Sequence, residues 1–101
     1  MILSRGCTPI HRFSVPYEAD EIEVMYITYE QNSVVVLEKT KEDCTFEDGC
    51  VLLQLTQEET LKFEPRTKVK IQIRLKRTDG EAEKSNILSV TPDELLKEGT
   101  I

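Results

Sequence analysis

The stretch Val51–Thr78, VLLQLTQEETLKFEPRTKVKIQIRLKRT, decides the fold class. It reads as a strand over Val51–Thr56, a short helical turn over Gln57–Thr60 and a long strand over Lys68–Thr78. In the long strand Val69, Ile71, Ile73 and Leu75 alternate with Lys70, Gln72, Arg74 and Lys76. A period of two sends successive side chains to opposite faces, so one face is apolar and the other polar and mostly cationic. Such a strand belongs in an antiparallel sheet covered on one side only. Thr56 followed three residues later by Glu59 has capping-box spacing, which starts the helical turn. A brief helix placed there predicts a crossing from one sheet to another.

Outward from this stretch, turn signals recur at the short intervals that an all-β domain requires. His11–Tyr17 predicts a first strand, with Phe13 and Val15 facing one way and Pro16 marking an edge or exit. Ile22–Glu30 is apolar on both faces, Ile22/Val24/Tyr26 and Met25/Ile27/Tyr29, which fits a central strand or a bulge that switches sides. Asn32 in the turn Gln31-Asn32-Ser33 tolerates a left-handed backbone, and Val34–Lys39 returns as a hairpin partner. Asp48-Gly49 predicts a two-residue hairpin with Glu47 opposite Cys50, Phe46 opposite Val51 and Cys44 opposite Leu53. Asp79-Gly80 predicts another, leading into a last strand over Glu81–Val90. Thr91 and Pro92 have the spacing of a cap and first helical residue, so a short C-terminal helix is expected before Gly99. About seven strands of this spacing predict an all-β, immunoglobulin-like antiparallel β-sandwich, with residues 1–101 as a single domain.

Apolar residues make up 39% of the 101 and charged residues 32%, a balance that fits a soluble globular domain rather than a disordered chain. The longest apolar run, Val34–Leu37, is too short for a bilayer, and the start lacks the apolar region of a signal peptide. The net charge of −6 argues against general nucleic-acid affinity. The cations are nevertheless concentrated. Lys62, Arg66, Lys68, Lys70, Arg74, Lys76 and Arg77 fall within one stretch whose only acid is Glu64, while Glu18–Glu23 and Glu42–Asp48 are rich in acids. The ordinary reading is that this basic row faces acidic neighbours across the sheet. The functional reading is a docking surface for a partner.

Catalytic chemistry has little to work with. A lone histidine, His11, precludes a multi-histidine metal site, and Cys7, Cys44 and Cys50 match no zinc motif. The hairpin register puts Cys44 on the core side and Cys50 on the other, so free thiols are expected. A Cys7–His11 nucleophile pair would lie near a terminus with no orienting group, and a surface histidine is the plainer account. The acids of Asp20-Glu21-Glu23 and of Glu42–Asp48 lack calcium-loop spacing and read as solvated turns. Tyr17, Tyr26 and Tyr29 could stack bases, but their strand positions beside aliphatics favour core packing, and the basic row has no interleaved aromatics. No cofactor or metal is implied.

Several segments together resemble a family. They are Arg5-Gly6-Cys7-Thr8-Pro9, Ile22–Tyr29 followed by Gln31-Asn32, Leu55–Thr60, Val69–Arg74, Thr78-Asp79-Gly80 and the closing Leu95–Ile101. In this order and spacing the chain resembles small proteins encoded in prophage tail modules of Gram-positive bacteria. It is also similar to the N-terminal immunoglobulin-like domain of phage baseplate upper proteins. It departs from the latter in lacking a long helix and receptor-binding module after this domain. Ser33 also stands where a glycine is expected, and Thr91–Leu96 looks more helical than in the family.

The resemblance implies a non-enzymatic virion protein of a phage tail or baseplate. It would be assembled in the bacterial host cytoplasm and act through contacts with other tail proteins and with copies of itself. The candidate contact residues are Lys68, Lys70, Arg74 and Lys76 on the basic row, and Leu95, Leu96 and Ile101 in the terminal segment. Two other classes stay open: a cytoplasmic phage-encoded inhibitor of a host factor, and a nucleic-acid binder using the basic row.

Overall fold

The alternation along the chain resolves into two antiparallel sheets over a common core. The computed structural model describes Met1–Ile101 throughout. Strands β1 (Ile10–Ser14), β4 (Thr45–Glu47) and β5 (Cys50–Gln54) form a three-stranded sheet in the order β1-β5-β4. Strands β2 (Ile22–Gln31), β3 (Val34–Thr40), β6 (Val69–Arg77), β7 (Ala82–Lys84) and β8 (Leu88–Val90) form the larger sheet. Its order is β3-β2-β6, with β7 and β8 both pairing the remaining side of β6. Helix α1 (Gln57–Thr60) carries the chain from the smaller sheet to the larger, as its position predicts. The box that starts it is closed in both directions: Glu59 N–H donates to Thr56 Oγ1 at 3.1 Å, and Thr56 N–H to Glu59 Oε1 at 2.9 Å. No helix is long and apolar enough to cross a membrane.

Val69, Ile71, Ile73 and Leu75 of β6 are all buried, and Lys70, Arg74 and Lys76 are exposed, as the period of two requires. They meet Phe13 of β1 and Val51 and Leu53 of β5 in one core of 16 buried residues. Fully burying each such aliphatic stabilises the fold by roughly 1.5–3 kcal/mol. The double apolar face of β2 has both of the expected causes. The strand is central, and a bulge between Ile22 and Val24 sets Ile22 on the same side as Met25, Ile27 and Tyr29. The Asp48-Gly49 hairpin has the predicted register, with Phe46 opposite Val51 and Glu47 opposite Cys50. All three cysteines are free, and Cys44 packs half-buried on the core. Asn32 and Ser33 both take positive φ, 55° and 63°, so this hairpin asks for left-handed backbone at two successive non-glycine residues.

Three expectations are corrected. The last strand is broken: Ser85 interrupts Glu81–Val90, leaving two three-residue strands on β6. Ser85 takes the place of a ladder step, its N–H donating to Ile73 O at 2.8 Å and its Oγ accepting from Ile73 N–H at 2.9 Å. His11 is not on the surface but 1% exposed, because β1 alternates with His11, Phe13 and Val15 inward.

The third correction concerns the C-terminal helix, which does not form: residues 91–101 run as an irregular strap. At most two turns would have to carry the cost of nucleation. The extended path instead buries Pro92 and lets its carbonyl accept Arg66 N–H at 2.9 Å. The strap also lays Leu95 against Gly6, where a Cβ would come within 2.7 Å of Leu95 Cδ2. Arg5 grips the Glu98 carboxylate with two N–H groups at 2.8 and 2.9 Å, and Gln57 brackets the backbone of Ile101.

Candidate functional site

Two places in the fold concentrate chemistry-bearing side chains, the seam between the sheets and the outer face of the larger sheet. In the seam, His11 Nε2 lies 2.8 Å from Ile2 O, and Nδ1 lies 2.6 Å from the Tyr29 hydroxyl. A carbonyl can only accept, so Nε2 holds the proton and Nδ1 accepts from Tyr29. Burial pushes the His11 pKa below its ordinary value, opposed by the Ile2 hydrogen bond. Burial likewise raises the Tyr29 phenol, and it lifts the Cys44 thiol to about 11. Both ring nitrogens of His11 are therefore occupied, and the pairing with Cys7 considered from sequence is not formed. Burial opposes ionisation of Glu59, but the ion pair with Lys39 and the Thr56 N–H outweigh it and hold the carboxylate below its usual range. Every buried side-chain nitrogen and oxygen has a partner. The seam is thus built to hold the sheets together.

The outer face is built the other way. Register sets Lys70 between Glu30 and Ser89, Gln72 beside Thr28, Arg74 between Tyr26 and Lys84, and Lys76 between Val24 and Ala82. No layer covers these side chains. Tyr26 is 41% exposed and Ile87, at the break between β7 and β8, 57% exposed. Together with Thr28, Glu30, Glu38, Lys70, Gln72 and Arg74 they line a shallow open depression of about 420 Å³.

Cross-strand charge pairing accounts for part of the basic row. Lys76 Nζ lies 3.7 Å from Glu23, and Lys70 stands opposite Glu30. It does not account for Arg74 and Lys84, which are directly opposite each other with neither in an ion pair. Like charges in that relation cost stability.

The chain matches no known family model, no curated protein and no solved structure.

The candidate residues divide by place. Lys70, Arg74 and Lys76 come together on the outer face, and Lys68 lies exposed one residue before β6. The terminal trio does not form one surface. Leu95 packs within the fold against Gly6, whereas Leu96 and Ile101 are 100% and 95% exposed. Sequence reasoning missed Tyr26, Lys84 and Ile87. Tyr26 reads as core because the bulge that turns it outward depends on pairing with β6, and Lys84 meets Arg74 only through a hairpin register.

Proposed function

We propose that this chain is a non-enzymatic structural or assembly protein of a phage or prophage tail or baseplate. It works through protein–protein contacts made by the outer face of its five-stranded sheet, within the virion tail assembled in the host cytoplasm. Its partners are other tail or baseplate proteins and copies of itself. One observation carries the reading: a sheet face left uncovered, where Arg74 stands between Tyr26 and Lys84 and neither cation is in an ion pair. An anionic partner surface would offset that repulsion, and Tyr and Arg are the residue types that anchor protein interfaces. The segments from Arg5 to Ile101 that resemble tail-module proteins support the same role. We further read the two sheets, joined by the α1 crossing, as an immunoglobulin-like sandwich.

Mass spectrometry of purified particles tests the assignment, which expects the chain to co-purify with tail proteins. Reversing charge at Arg74 and Lys76 should impair particle assembly while leaving the far-ultraviolet circular dichroism unchanged. Intact particles made with that double variant would rule out the face as the assembly surface.

A further inference from the structure

We propose that the C-terminal strap is an exchange arm: beyond Pro92, the strap of one copy docks on the body of a second copy, in the site that its own strap fills in the closed chain. The inference depends neither on the tail reading nor on the outer face. The closed form itself shows what the site accepts. Arg5 is fixed by the body, its Nε donating to Phe63 O at 2.7 Å with the side chain only 11% exposed. Two further N–H groups are thereby set in place for the Glu98 carboxylate, at 2.8 and 2.9 Å. Gly6, at φ 72°, leaves the room that Leu95 occupies, with Leu61 beside it. Gln57 donates from its amide nitrogen to Ile101 O at 3.3 Å and accepts Ile101 N–H at 2.8 Å, and Arg66 pairs with Glu94 at 2.9 Å. A guanidinium fork, a slot for one leucine and an amide clamp on backbone make a peptide site. The sequence that fits it is this chain's own Glu94–Ile101.

The strap is nevertheless held loosely. Residues 91–101 form no helix or strand, and Pro92 is the one buried residue among them. Arg66 N–H to Pro92 O is their one backbone bond to the body, and from Asp93 onward there is none. Glu94 and Glu98 are 55% and 58% exposed, so water weakens both ion pairs. A segment with so few buried contacts opens at a small fraction of the global unfolding free energy. The site it leaves stays formed, because the bond from Arg5 to Phe63 O and the helix that carries Gln57 belong to the body. Exchange then replaces each lost contact with the same contact to a second copy, which makes swapping an identical element a low-cost route to dimers. It also brings a second surface to Leu96 and Ile101, which the closed strap leaves in water.

The tether sets the balance between the two forms. A short linker keeps the strap near its own site at an effective concentration of about millimolar. The closed copy therefore prevails in dilute solution, and exchange prevails where copies are crowded together. Two copies that trade straps form an isologous pair, in which each Arg5 holds the other copy's Glu98.

Charge reversal separates the closed form from the exchanged one. In Arg5→Glu the body repels its own strap, and in Glu98→Arg the strap repels its own body. Mixed in equal amounts, the two variants regain opposite charges only across copies. The native Arg5 of one then faces the native Glu98 of the other, and the two substituted positions face each other. Sedimentation velocity of the full chains at low salt, at concentrations up to about millimolar, should show each variant alone as a monomer and the mixture as a 1:1 dimer. The mixed pair should associate at least about tenfold more tightly than either variant with itself. Both substitutions in a single chain restore the pair internally, and that double variant should return to monomer. Arg66→Glu mixed with Glu94→Arg, both at exposed positions, decides the matter if Arg5→Glu, which gives up the bond to Phe63 O, lacks the wild-type circular dichroism. A mixture that stays monomeric overturns the proposal. So does either variant that dimerises alone, since like charges would meet in every exchanged pair.

Discussion

The seam and the outer face treat polar groups in opposite ways. Between the sheets, His11, Tyr29, Gln31 and Thr60 are buried and every one is hydrogen-bonded: Gln31 alone donates to Glu64 O and Thr67 O and accepts from Glu64 N–H. On the far side of the same sheet, Arg74 of β6 and Lys84 of β7 are exposed and opposed. Polar chemistry inside specifies one packing of the two sheets. Polar chemistry outside leaves a local repulsion in place, tolerable because water screens it, and available to a partner. Stability and contact should therefore be separable by mutation.

The largest effect belongs to the seam. Phe63 is 1% exposed and its ring centroid lies 6.0 Å from that of Tyr29. Phe63→Ala should lower the unfolding free energy by about 3–5 kcal/mol, read from urea denaturation. Tyr29→Phe is subtler. It keeps the ring and removes only the hydroxyl that His11 Nδ1 accepts from, stranding a buried acceptor at a cost of about 1–3 kcal/mol. A loss no larger than that of an exposed substitution would show that the His11–Tyr29 bond does not hold the sheets.

Much of this contrast was readable before any coordinates, and what was not has a common cause. The alternation in β6, the Thr56–Glu59 box and the Asp48-Gly49 register are local patterns, decided by residues within a few positions of one another. The inward turn of His11 was available in principle from its parity with Phe13 and Val15, but its place near the terminus suggested the surface. The helix predicted at Thr91 had local signals too weak to outweigh the tertiary contacts of Pro92, Leu95 and Glu98. The outer face was half legible. Lys70, Arg74 and Lys76 follow from one strand, but the Tyr26 and Lys84 flanks of Arg74 depend on bulge and hairpin registers joining three strands.

Acid offers a third way to probe the seam. Because burial holds the folded-state pKa of His11 below the ordinary 6.5, the unfolded chain takes up the proton first as pH falls. The stability tied to neutral His11 is complete above about pH 6.5 and is lost as pH falls from there towards the folded-state value, at up to about 1.4 kcal/mol per pH unit. Denaturation midpoints between pH 7 and 5 should show this slope in the wild type. They should show a flatter one in His11→Gln, which has no proton to take up in that window. Equal slopes would remove His11 as the cause.

The smallest effect carries an unusual sign. Arg74→Glu on its own turns a like-charged pair with Lys84 into an opposite-charged one, on a face where nothing packs over either side chain. The folded chain should become more stable by a few tenths of a kcal/mol at low ionic strength, and the gain should shrink as salt is added. The same substitution should weaken docking on that face. A residue whose replacement strengthens the fold while impairing contact is one kept for the contact, since packing offers no competing reason to retain it. If Arg74→Glu instead destabilises the chain, then Arg74 is part of what holds β6 to its neighbours, and the division between a structural seam and a free outer face fails at its central residue.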